Sequence, residues 1–121
     1  MNEFQHTLKQ PAELEGIGLH TGQSVKVRIC PSEANTGIIF HRVDLEGDFR
    51  IKADVDYVSS VERGTTLERQ GVKVATVEHV LAALFGCQVD NAVIEINGEE
   101  IPILDGSSKP FVDAILKASV E

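Results

Sequence analysis

A chain of 121 residues, 42% of them hydrophobic and 25% charged, is sized for one domain around one core, not two. Nineteen acids against eleven Lys and Arg give a formal charge of −8, which argues against a nucleic-acid partner, because such binding draws its affinity from cations that neutralise phosphates. The apolar runs fall far short of the ~20 residues of a membrane span, and MNEFQHTLKQ at the start lacks the pattern of a secretion signal, so no membrane span and a cytoplasmic location are expected.

In chain order, the first distinctive stretch is Gly16-Ile17-Gly18-Leu19-His20-Thr21-Gly22. Glycines at this density let a backbone turn tightly or approach a ligand closely. The stretch matches neither phosphate-loop pattern, GxxxxGK[ST] or GxGxxG before a helix, and reads locally as a bent strand with a hairpin turn at Thr21-Gly22. Residues 24–29 alternate Val25, Val27 and Ile29 with Lys26 and Arg28, the period of a half-buried strand. Cys30 and Cys87 match no zinc spacing and are expected as reduced, mostly buried thiols. Further strands are expected over 37–43 and 49–55, and a hairpin of 65–69 with 72–75 about Gln70-Gly71. Residues 77–85 place Val77, Val80, Leu81 and Leu84 at helical spacing, with Thr76 as N-cap and Gly86 as the stop. Residues 92–96 are expected to pair with 101–103 across Asn97-Gly98, Pro102 making the second an edge strand. A last helix over 109–119 is capped by Ser107 or Ser108. Many strands and two late helices predict an α+β fold, a two-layer sandwich of a mainly antiparallel sheet with both helices on one face.

The helix start at Thr76-Val77-Glu78-His79 carries the most chemistry. With the apolar residues on one face, Glu78 and His79 point elsewhere, with Ala82 and Ala83 one turn on. An acid and an imidazole then stand at the positive end of a helix, which stabilises carboxylates and developing oxyanions. Taken alone, the plainer reading is stronger: a first-turn acid complementing the dipole beside a surface imidazole. One His is at most one ligand of a zinc site that takes three or four.

Together and in this order, GIGLHTG, NTG at Asn35–Gly37, TVEH, DNAVIEIN at 90–97 and EIPILDGS at 100–107 resemble the UDP-3-O-acyl-N-acetylglucosamine deacetylases of lipid A biosynthesis. The resemblance runs essentially end to end and covers the N-terminal domain of that family. It implies a fold like the second domain of ribosomal protein S5, with residues 1–121 as one domain and the active site shared with a C-terminal domain that this stretch does not include. It further implies a zinc-dependent amidase acting on a UDP-linked acylated amino sugar, with His79 as a zinc ligand and Glu78 as general base. The other ligands, a His and an Asp, and a proton-donating His would lie in the C-terminal domain, so the chain alone is expected to be inactive and metal-free. His20 and Asp105 match recurrent family positions; His20 orients site groups, and Asp105 is either part of the site or simply fixes the turn before the last helix. Thr66, in the loop about Gly64-Thr65-Thr66, is expected near the substrate. A noncatalytic binding module sharing the fold is the alternative.

Overall fold

The computed structural model describes residues 5–62 and 64–121. Among them the chain forms a five-stranded sheet, a smaller three-stranded sheet and two α-helices. The large sheet runs β1 (Ala12–Ile17), β2 (Ser24–Pro31), β8 (Ala92–Ile96), β3 (Ile38–Arg42), β4 (Phe49–Lys52) from edge to edge. The small one is β5 (Val58–Ser60), β6 (Thr66–Arg69), β7 (Val72–Ala75). Every strand pairing is antiparallel except β3 with β8. The α+β class with a mainly antiparallel sheet is therefore as expected.

Strand alternation decides which face is covered. On β2, Val25, Val27 and Ile29 are buried while Ser24, Lys26 and Arg28 face solvent. The inner residues of β2, β3, β4 and β8 meet Val80, Ala83 and Leu84 of α1 (Glu78–Gly86) and Phe111, Ile115 and Ala118 of α2 (Lys109–Ala118) in one core. Both helices thus lie on one face. The opposite face is dressed with ion pairs, Lys26 with Glu15 and Arg28 with Glu13 and Glu95. Arg42, almost fully buried, bonds Asp44 through two nitrogens and the Lys73 carbonyl through a third, tying β3 to β7; this hydrogen bonding holds the Asp44 carboxyl below its ordinary range.

Several local expectations are corrected. Residues 101–103 form no strand with β8, because β2 and β3 already occupy both edges of β8. Gly98 instead turns against Val25, where an added Cβ would sit 2.6 Å from its Cγ1. The chain then crosses to β7 and β1, Ile101 N donating to Ala75 O and Ile103 N to Ile17 O. Thr76 is not the N-cap of α1: it is left-handed (φ 60) and its hydroxyl is drawn away to Glu100, so the helix begins at Val77 without a side-chain cap. Gly86 is the last helical residue, and the reversal comes at Gln88 (φ 60), after which Val89 N donates to Leu84 O. β4 is also shorter than the strand expected over 49–55, giving way to a 3-10 turn (Val55–Tyr57) where Asp54 accepts from Asp56 N. Cys30 and Cys87 are free and only half-buried, with burial raising both thiols.

Candidate functional site

Helix α1 starts where three segments converge. Ala75, the last residue of β7, bridges Glu100, and Val77 N donates to Thr65 O at 3.1 Å. The first turn is therefore fastened to the β6 entry on one side and to the 99–101 crossing on the other. Glu78 and His79 emerge from this anchored turn, both half-exposed. Neither is sealed in the core.

Glu78 lines a shallow groove of about 470 Å³ whose other walls are Ile38, Ala53, Leu81, Ala82, Leu84, Phe85 and Val89. Ala82, one turn on, shares that groove, whereas Ala83 is buried in the core. The Glu78 carboxylate accepts a 3.3 Å hydrogen bond from Thr65 N. Gly64 passes so close that a Cβ there would lie 3.0 Å from Glu78 Oε2, at a φ of 102 that disfavours side chains. The loop singled out in the sequence does border Glu78, but through Gly64 and Thr65. Thr66 is instead in β6, paired with Ala75.

The His79 ring has no hydrogen-bond partner among the described residues, leaving its nitrogen lone pair available to a metal. The described residues contain no cluster of three or more His, Cys, Asp or Glu. The imidazole thus suits one position of a zinc site, and the remaining ligands would have to come from outside these residues.

His20 stands on the turn after β1, and here the structure adds a residue that the sequence reading passed over. Glu100, 0% exposed, accepts hydrogen bonds from His20 N (2.9 Å) and Thr21 N (3.0 Å) on Oε1 and from Thr76 Oγ1 (2.6 Å) on Oε2, which also lies 2.7 Å from His20 Nδ1. Burial pushes this carboxyl upward, but the bonds from Thr76, Thr21 and His20 outweigh it and hold it at about 2. An acid beside a glycine-rich turn is unremarkable in a sequence. Only the left-handed Thr76 and the crossing of residues 99–101 bring Glu100 beneath the His20 turn. Asp105, by contrast, is exposed and caps its own turn, accepting from Ser107 N (2.9 Å) and Ser107 Oγ (2.7 Å), which lowers its carboxyl. Ser107 Oγ in turn accepts from Lys109 N at 3.2 Å, so Asp105 shapes the entry to α2.

Comparison with known proteins agrees on one family. Residues 5–121 match the family model described as LpxC: UDP-3-O-acyl N-acetylglycosamine deacetylase. The chain is 49% identical over 118 residues to a UDP-3-O-acyl-N-acetylglucosamine deacetylase of Geobacter sp. (strain M21), covering 98% of the chain and 39% of that protein. A deacetylase of the same name from Legionella pneumophila (strain Corby) is 47% identical over 116 residues, 96% of the chain and 38% of the relative. A protein of Chlorobaculum tepidum named bifunctional enzyme LpxC/FabZ is 50% identical over 116 residues, 96% of the chain and 25% of its own length. The chain thus spans well under half the length of the curated relatives that it matches.

Proposed function

The chain belongs to the UDP-3-O-acyl N-acetylglycosamine deacetylase family, and from that premise we propose that it supplies the N-terminal domain of a zinc-dependent enzyme that removes the N-acetyl group from a UDP-linked acylated amino sugar in lipid A biosynthesis, in the cytoplasm. The observation that carries the reading is the anchored start of α1, where Glu78 opens onto a groove beside His79, whose ring has no hydrogen-bond partner among the described residues.

Amide hydrolysis needs a nucleophilic water, a polarised carbonyl and a proton for the departing amine. Zinc, held in part by His79, supplies carbonyl polarisation and a more acidic water when bound. Glu78 takes the proton of the attacking water as general base. Its carboxylate is suited to this by position, with Thr65 N steadying one oxygen at 3.3 Å. The remaining zinc ligands and the proton donor to the amine belong, in this reading, to a C-terminal domain. That domain would also cover apolar side chains of the helical layer, where Phe85 is 87% and Leu116 61% exposed.

The test is deacetylation by two proteins: this chain, and the chain extended by the C-terminal part that the longer relatives carry. Only the extended protein should release acetate, with loss on chelation and recovery with zinc. Metal-dependent turnover by the chain alone would refute the shared site, and none in either protein would favour a noncatalytic module.

A further inference from the structure

The buried Glu100 has no part in the hydrolysis described above, yet it is held more elaborately than any other acid among the described residues. Two segments distant in sequence close over it where the 99–101 crossing passes: the turn at Gly18–Gly22 and Thr76, just beyond β7. At Gly18, a Cβ would fall 2.6 Å from Glu100 Oε1 and 2.5 Å from Thr21 Oγ1, so the backbone wraps the carboxylate with no room for a side chain. Thr76 holds a left-handed φ of 60, a costly conformation for a β-branched residue, while its hydroxyl donates to Oε2.

The donor census fixes the proton on the histidine. Oε1 receives two backbone N–H groups and Oε2 receives the Thr76 hydroxyl, so the carboxylate is ionised and has only acceptor capacity left. His20 Nδ1, 2.7 Å from Oε2, must therefore donate. Its other nitrogen, Nε2, has no hydrogen-bond partner among the described residues, and the side chain is 38% exposed.

We infer that Glu100 is a positioning residue that locks His20 as the Nδ1–H tautomer and leaves Nε2 as the nitrogen with a free lone pair. The same Oε2 binds Thr76, two residues before Glu78, so the carboxylate ties the imidazole to the segment that carries the base. A carboxylate that orients a histidine and selects its tautomer makes the far nitrogen the functional one. A bare Nε2 fits a hydroxyl donor, a group that an amino-sugar nucleotide carries. This functional half rests on the deacetylase reading; the tautomer does not.

Long-range nitrogen–proton correlation spectra of the histidine rings, taken on this chain at a pH where His20 is neutral, read the tautomer directly. The wild type should show His20 with Nδ1 protonated. In Glu100→Gln the amide oxygen keeps the two backbone N–H groups, and its NH2 turns to His20, so the ring should switch to Nε2–H. A wild-type ring that is Nε2–H or an even mixture overturns the inference, as does an unchanged tautomer in a folded Glu100→Gln. Should that variant not fold, the wild-type spectrum still decides, and Thr76→Ala, which keeps the carboxylate, should keep Nδ1–H. In the extended enzyme, Glu100→Gln should lower kcat about tenfold or more, with partial rescue by Glu100→Asp. A switched tautomer with unaltered turnover removes His20 from the site. An extended wild-type protein without activity defeats the deacetylase reading and leaves the tautomer standing.

Discussion

Removing the carboxylate with Glu100→Ala should cost this domain about 3–4 kcal/mol. Four donors lose their acceptor. His20 N, Thr21 N and the His20 ring sit near the surface and can turn to water, but the Thr76 hydroxyl is buried and cannot. A hydrogen bond to a charged group is worth about 1.5–3 kcal/mol, and an orphaned buried group costs about 1–3 kcal/mol. A second route gives the same size. A carboxyl lowered from 4.5 to about 2 is stabilised in the folded state by about 3 kcal/mol through proton linkage. Against the roughly 5–15 kcal/mol that holds a domain of this kind together, that is a large share. Urea unfolding followed by far-ultraviolet circular dichroism measures it as a lower midpoint at unchanged slope. A loss below about 1 kcal/mol would show that the four contacts are not holding the turn, β7 and the 99–101 crossing together.

Acid should reveal the same group. Its folded-state value lies below its unfolded value, so its contribution is complete above about pH 5 and fades as pH falls through about 2; the stability gap between wild type and Glu100→Gln should narrow over that interval, and a gap that widens would contradict the assignment. Gly64→Ala places a methyl group 3.0 Å from Glu78 Oε2 at a φ of 102, so it should destabilise by about 1–2 kcal/mol in thermal melts and lower turnover in the extended enzyme; a stability equal to wild type would mean that the loop is not pinned there. Phe85→Ser, at 87% exposure, should change the unfolding midpoint of this chain by less than about 0.5 kcal/mol equivalent while weakening binding to a separately made C-terminal part, read by calorimetry; equal binding would place the covered surface elsewhere.

The parts of the fold governed by local periodicity were legible in the sequence. Alternation at Val25, Val27 and Ile29 marked β2 and its buried face, and the spacing of Val80 and Leu84 marked α1. What the sequence concealed was decided by distant partners. Pairing of residues 101–103 with β8 was plausible until β3 took that edge in parallel, a contact that no local pattern announces. Thr76 has the chemistry of a helix cap, and loses that role because its backbone is left-handed and its hydroxyl is turned to donate to a buried acid 24 residues away. Glu78 and His79 stood out as an acid and an imidazole side by side at a helix start and took roles only from the family resemblance, whereas Glu100 lies in an ordinary acidic turn. Its importance comes from burial, which spacing does not encode. Asp105 illustrates the converse, a residue in a distinctive motif whose contacts are those of a turn.

The two neighbours at the start of α1, Glu78 and His79, have separate jobs in the proposed hydrolysis. In the extended enzyme, turnover and bound zinc should be measured together for Glu78→Gln and His79→Ala. Glu78→Gln should keep the metal and lose turnover by about 100-fold or more, while His79→Ala should lose metal and activity in step. Full metal retention in His79→Ala, or mild and equal losses in both variants, would contradict that division.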